Sequence, residues 1–302
     1  LETFTEGAPS TRLKLYGLLS IQIIWAGSYI LSKVLLGFFP PLIWACIKCT
    51  LAAIILVAIA IFTRRPHPKP NFSFFIPLCF CALLGGVLTQ AFFLIGLKYT
   101  SSTNSGILNT LTPLITLLTV ISVGWEKPTV SRTVGTMISL VGVLILCHVE
   151  EFKSQSSTFF GDCVTILGSV VYGIFLAVSG SFFQKHDRIW ITAWMFIISS
   201  LCFLFLTTSE RLQFHMPQIT FGIACAAIYS IVFSTILGSF LVVWVVTHVP
   251  ASKVSLFEYM QPVLTSFLAW FFLNERLGPR SWIGAFLIFA GVGLSTLWSS
   301  DD

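Results

Sequence analysis

The chain has 302 residues, of which 56% are hydrophobic and 10% charged, against about 25% charged in an ordinary soluble domain. With 29 Phe, 9 Trp and a mean hydropathy of +0.91, it carries more apolar surface than a water-soluble fold of this size can bury, so the solvent it implies is the lipid bilayer. The net charge of +5 has no soluble basic face on which to gather, which excludes nucleic acid as a partner.

Apolar runs of about 20 residues are read as spanning helices. Unpaired backbone groups are not tolerated in hydrocarbon, and an outer-membrane barrel would instead alternate over about 10 residues. After a polar tail at 1–12, spans are expected at 13–36, 41–62, 74–97, 101–123 and 131–149. A polar linker at 150–159 follows, then spans at 160–183, 189–207, 220–244, 252–273 and 281–298, and a tail at 299–302. The first span is too long for a secretory h-region and no small-residue cleavage site follows it, so it reads as a retained helix.

Lys and Arg set the orientation. With the N-terminus cytoplasmic, the inner segments hold Arg12, Lys14, Arg64, Arg65, Lys69, Lys127, Arg132, Lys185 and Arg188, and the outer ones only Lys98, Lys153, Arg211, Arg276 and Arg280. Both termini are therefore expected inside. The eight cysteines, CIKC at Cys46–Cys49 and CFC at Cys79–Cys81 among them, lie within apolar spans. There is no second Cys or His pair at ligand spacing, so neither a metal site nor a cofactor is expected.

One pattern occurs twice. TPLITLLTVISVGWEK runs from Thr112 to Lys127 and QPVLTSFLAWFFLNER from Gln261 to Arg276, 149 residues apart. The same shift places Pro113 on Pro262, Glu126 on Glu275, Gly135 on Gly284 and Gly142 on Gly291. Each half then holds five spans, and because five is odd the second half must enter from the opposite face. The expected fold class is an all-α integral membrane protein with ten transmembrane helices as two inverted five-helix repeats, an architecture that places a site at the midplane.

The segment IGLKYTSSTNSGILNTLTPLITLLTVISVGWEKPTVSRTVGTMISLVGVLIL and its partner VVTHVPASKVSLFEYMQPVLTSFLAWFFLNERLGPRSWIGAFLIFAGVGL resemble the EamA domain of the drug/metabolite transporter superfamily. IIWAGSYILSK, around Trp25 and Tyr29, is similar to the family's opening helix. The resemblance covers the chain as two units, 13–149 and 160–298. It implies ten helices and a secondary carrier of small organic metabolites in a bacterial-type plasma (inner) membrane; no motif in it fixes the substrate.

Candidate site residues follow from the bends. A helical proline frees the carbonyl four residues earlier: Asn109 for Pro113 and Glu258 for Pro262, the two expected hinges. Asn109, Thr112 and Thr116 form a polar face, and the shift gives Glu258, Gln261 and Thr265. Burying the Glu258 carboxyl, roughly 9 Å into its span, costs about 2.5 kcal/mol or more, which marks it as part of the transport pathway or as the structural partner of a group such as a lysine. Lys48 lies deep in the second span, where its ammonium must snorkel or find an anion. Lys33 and Lys253, near span ends, favour snorkelling, although Gln22, Tyr29 and Lys33 share one stripe that suits a cavity wall. Gln90, Trp25, Tyr172 and Tyr259 complete the substrate-binding candidates. Gly135, Gly142, Gly284 and Gly291 suit close helix contact. Such faces pack within or between chains, so the oligomeric state is left open. Glu126 and Glu275, each beside a base in a short loop, are gate candidates or solvated helix-end charges.

A deep carboxyl with deep lysines can meet an ammonium and a carboxylate together, which favours a small polar or zwitterionic metabolite, an amino acid or analogue first. A nucleotide-linked or adenosyl metabolite, S-adenosylmethionine or a nucleotide sugar, stacked on deep aromatics, is the alternative. A partly desolvated carboxyl can titrate near neutral pH, so proton coupling and exchange both stay open. An enzyme is disfavoured by the lack of HExxH, GxSxG and P-loop motifs and by five dispersed histidines. A receptor is disfavoured because no long exposed segment is present to pass on a signal.

Overall fold

The computed structural model describes residues 9–68, 72–100, 102–127, 129–146, 159–211, 214–273 and 279–297. Among them there is no β-strand. The helices of the first half are α1 (Thr11–Leu35), α2 (Pro41–Phe62), α3 (Phe72–Cys81), α4 (Thr89–Tyr99), α5 (Ser102–Asn109), α6 (Leu111–Ser122) and α7 (Val130–Leu146). Those of the second are α8 (Phe159–Phe183), α9 (Arg188–Leu206), the short α10 (Thr208–Arg211), α11 (Phe221–Ile228), α12 (Gly238–Val246), α13 (Ala251–Leu256), α14 (Met260–Leu273) and α15 (Pro279–Leu297).

Local chemistry sets several starts. The Ser10 hydroxyl caps α1, the Asp187 carboxylate accepts from the N–H groups of Ile189 and Trp190 at α9, and Pro41 opens α2, where a missing N–H costs nothing.

Seven stretches are long and apolar enough to cross a membrane, among them Phe72–Tyr99 and Phe221–Val246, and Val130–Ile145 and Trp282–Ser295 are shorter apolar helices. Their outward faces are apolar, with Phe62, Phe72 and Phe221 each more than 80% exposed; a surface of this kind belongs in lipid.

Four interruptions differ from the uninterrupted spans expected. The α3–α4 rod contains a π-helical stretch, Ala82–Leu88, and the α11–α12 rod another, Tyr229–Leu237. Shifted by 149 residues, Leu88 falls on Leu237, so the two stretches end at equivalent positions. In a π turn the wider ring leaves carbonyls poorly paired, and hydroxyls take them up: Thr89 donates to the Leu84 carbonyl at 2.7 Å and Thr235 to that of Ser230 at 2.8 Å. The other two interruptions are those the prolines require. Helix α5 ends at Asn109 and α6 restarts at Leu111, while α13 passes into α14 through a 3₁₀ turn, Phe257–Tyr259.

Helices α7 and α15 are the closest pair. Gly135 lies against Gly291 and Gly142 against Gly284, and Ser139 donates to the Ile288 carbonyl between them at 3.4 Å. As numbers rise on one helix they fall on the other, so the two run antiparallel. A Cβ on Gly142 would stand 2.9 Å from the Gly284 carbonyl oxygen, closer than side chains approach. Elsewhere α2 packs on α9, and α8 on both α4 and α6. An apolar cluster including Phe74, Phe182, Phe183, Val245 and Leu256 fills the end at which α3 begins and α8 stops.

Candidate substrate site

The bundle encloses a cavity of about 360 Å³, near the lower limit of the roughly 300–1,000 Å³ usual for small-molecule sites. Residues 25–32 of α1, in its C-terminal half, and residues 165–175 of α8, about its middle, both line it. On α1 the cavity therefore sits off centre, towards the end where that helix stops; the aromatic cluster closes the other end.

The interruptions shape its wall. Gly85 and Gly86 come from the first π stretch and Ser234 from the second, Asn109 from the last turn of α5, and Glu258 from the 3₁₀ turn. Helices are broken where the site needs non-helical backbone, and buried protein tolerates that at membrane depth. The Trp25 indole N–H spans to the carbonyl of Ser234 at 3.4 Å, and the Tyr229 hydroxyl donates to that of Ile24 at 2.9 Å, fastening the second π stretch to α1.

Two ionisable side chains occupy the wall. Lys48 is 3% exposed, and its ammonium donates to the Gln90 side-chain oxygen at 2.5 Å. Glu258 is 8% exposed. Among the described residues neither forms an ion pair, and the only pairs are Arg65 with Asp187 and Arg132 with Glu126. A buried charge without a counter-ion is costly, and both of these line the one cavity. The arrangement can accept a ligand with an ammonium at one pole and a carboxylate at the other.

Neutral groups hold the rest of the wall. The Asn109 amide donates to the Tyr29 hydroxyl oxygen at 2.8 Å and its carbonyl accepts from Ser169 at 3.0 Å, joining α5, α1 and α8. Because Tyr29 accepts this bond, its own O–H is left to donate into the cavity. Gln261 donates to the Gln22 side chain at 2.8 Å, linking α14 to α1. Trp25 and Tyr172 meet edge to face, with centroids 5.8 Å apart.

Of the residues expected at the site from sequence, Glu258, Asn109, Lys48, Gln261, Trp25, Tyr29, Gln90 and Tyr172 line the cavity, and Pro262 with them. Lys33 and Tyr259 do not. Lys33 donates to the carbonyls of Leu97 and Thr100 at the end of α4, a short side chain's distance from the bundle end, so it caps a helix rather than facing the ligand space. Tyr259 is fully buried with its hydroxyl unsatisfied, because the 3₁₀ turn rotates it away from its neighbour Glu258. Pro113 lies buried in the first turn of α6.

Glu126 pairs with Arg132 at 2.8 Å. It also accepts from the backbone N–H of Ser252 at 3.3 Å and from the Ser252 hydroxyl, and so ties the first half to the start of α13. Glu275, and the side chain of Thr265, lie outside the described residues. No group of His, Cys, Asp and Glu suited to a metal ion occurs among the described residues.

Sequence reasoning passed over Gly85, Gly86, Thr89 and Ser234, although the adjacent glycines of ALLGGVL were a visible break in an apolar run. It also passed over Asp162, buried at the start of α8, which accepts from the Thr100 hydroxyl at 2.5 Å.

The fold and the site define the class as a helical membrane bundle around a cavity with polar and ionisable walls. The family model described as the EamA-like transporter family matches twice, over residues 13–147 and 159–297, and the chain belongs to that family. It is similar to a protein named an uncharacterized transporter from Archaeoglobus fulgidus, 28% identical over 91% of this chain and 94% of that one. It also resembles the uncharacterized transporter YoaV of Bacillus subtilis, at 25% identity over 93% and 95% of the two chains. A WAT1-related protein of Arabidopsis thaliana, At3g18200, matches at 22% identity over 100% of this chain and 86% of its own. A solved structure, titled only as the crystal structure of a protein, superposes with a TM-score of 0.77 at 15% identity, covering 97% of this chain and all of that one. The chain is thus a multi-pass membrane transporter of the EamA family.

Proposed function

We propose that the protein is a secondary transporter that moves a small zwitterionic metabolite, an amino acid or analogue, across the plasma (inner) membrane by alternating access. The observation that carries this reading is the pair of buried charges, Lys48 and Glu258, lining one cavity with no counter-ion for either among the described residues. A zwitterion satisfies both at once, whereas a singly charged ligand leaves one buried charge uncompensated. The modest volume, about 360 Å³, favours such a ligand over a nucleotide-linked one.

In this reading ten helices cross the membrane as two inverted five-helix repeats with both termini cytoplasmic. The double family match supports it, as do the antiparallel α7 and α15 and the recurrence of each interruption in the second half. Pro113 and Pro262 act as hinges beside the site. Glu126 gates the closed end, where its bonds to Arg132 and Ser252 hold the halves together, with Glu275 its counterpart on the opposite face.

A thermal-shift screen of the purified protein tests the substrate reading, since a ligand that binds only the folded state raises its stability. Amino acids are expected to raise the transition, and their des-amino and decarboxylated analogues to do so weakly. A response to adenosyl or nucleotide compounds alone would overturn it.

A further inference from the structure

A second site lies on the outside of the bundle, between α3 and α8, at the end where α3 begins and α8 stops. We infer that this crevice holds an anionic phospholipid, its headgroup at Lys185 and Ser73 and its acyl chain along Phe80 and Val178. The inference rests on the membrane embedding of the chain and is independent of the substrate.

The crevice changes polarity with depth in the way a phospholipid does. At its mouth stand Ser73, in the first turn of α3, and Lys185 and His186, just past the end of α8. Deeper, towards the middle of the bundle, its walls are Pro77, Phe80, Cys81 and Val178. From Ser73 to Cys81 the helix descends about 12 Å at 1.5 Å per residue, most of one leaflet of a hydrocarbon core about 30 Å thick. Beside it, Phe72, Ile76 and Phe80 are 81%, 54% and 49% exposed and recur every four residues, so one face of α3 offers a continuous apolar track.

The mouth favours an anion. Lys185 is exposed, and its ammonium has no hydrogen bond or ion pair among the described residues. The acid two residues on, Asp187, is taken up by Arg65 at 3.5 Å and by the first amides of α9, so it does not neutralise the lysine. His186 donates through Nδ1 to the Phe182 carbonyl at 3.1 Å and is held between the rings of Phe74 and Phe182, at 4.9 and 4.8 Å. With Nδ1 donating, its Nε2 is the ring's acceptor, suited to a headgroup hydroxyl. First-turn amides of a helix lack intrahelical acceptors, and Pro77 removes the partner of the Ser73 carbonyl. The mouth thus offers a cation, a hydroxyl and helix-start amides together. Basic crevices between membrane helices bind anionic headgroups for these reasons.

Native mass spectrometry of the full chain, released from nanodiscs of equal phosphatidylglycerol and phosphatidylcholine, tests this. Wild type is expected to retain phosphatidylglycerol over phosphatidylcholine. Lys185→Gln should weaken that retention about fivefold, the attraction of one basic residue to an anionic lipid, with phosphatidylcholine unchanged. Ser181→Trp, which fills the crevice without changing charge, should lower retention of both lipids. Lys98→Gln, at the opposite end, should leave the preference intact. Equal retention of the two lipids by wild type would overturn the inference. So would an undiminished preference in Lys185→Gln, an equal loss in Lys98→Gln, or displacement by soluble glycerol 3-phosphate.

Discussion

Replacing Glu258 with Gln keeps the shape of the side chain and removes its charge. The carboxylate is 8% exposed and has no ion-pair partner among the described residues, so two opposite consequences follow. In the empty protein the variant replaces a buried carboxyl that has no counter-ion by a neutral amide and should be no less stable. With ligand present it loses an attraction to the ammonium of roughly 2–4 kcal/mol, a weakening of about 30- to 1,000-fold. The assay is titration with the amino acid giving the largest shift in the ligand screen, alongside its des-amino analogue. Wild type should prefer the amino acid, and Glu258→Gln should bind both alike. Lys48→Met should behave reciprocally, losing its preference for the amino acid over the decarboxylated amine. A structural role for Glu258 requires the reverse pattern, a lower unfolding temperature and an unchanged preference, and that result would refute the reasoning.

Other expectations follow from the packing and from the closed end. Gly291→Ala places a Cβ 2.5 Å from the Gly135 carbonyl oxygen, and this overpacking should cost about 1–3 kcal/mol or more in thermal unfolding in detergent. Gly293→Ala, with nothing within 4 Å, should be neutral in the same assay. Asn109→Ala removes the bonds to Tyr29 and Ser169 and should cost about 1–3 kcal/mol, as read by the unfolding midpoint. Glu126→Gln breaks the pair with Arg132, whose side chains are 14% and 6% exposed. If Glu126 is a gate, liposome transport should fall at least about tenfold, a loss of roughly 1.4 kcal/mol, while ligand affinity in detergent changes little; unaltered transport would remove it from the gating role.

Much of the architecture was legible because lipid imposes few and strong rules. Spans were readable as apolar runs, and the glycines spaced by seven marked faces of close helix contact, though not that α7 and α15 are each other's partners. The two prolines located the broken helices, since a missing N–H has a fixed address four residues back. Lys33 and Tyr259 stay off the cavity wall for separate reasons: the stripe that included Lys33 ignores the helix end beside it, and depth in a span does not say which way Tyr259 faces. Tyr259 sits in a 3₁₀ turn, where the angular step per residue differs, and Lys33 finds the unsatisfied carbonyls that close α4. The partner of Glu126 was not legible, because Arg132 lies six residues on and only the turn into α7 brings it back to the carboxylate.

The π stretches were the least legible feature and matter most to the site. Each inserts its extra residue without a proline or a charge to mark it, and its hydrogen-bond partner is a threonine hydroxyl five residues on. A rod that carried on as α-helix would keep the same apolar face but rotate everything beyond the insertion by about 100°. Gln90 stands two residues past Leu88, so that rotation would carry it off Lys48. The first π stretch therefore sets the register that gives the buried ammonium its one hydrogen bond, and the second sets the carbonyl that Trp25 reaches. In both halves the departure from ideal helix occurs where the cavity wall needs a polar group that apolar periodicity alone would have turned towards lipid.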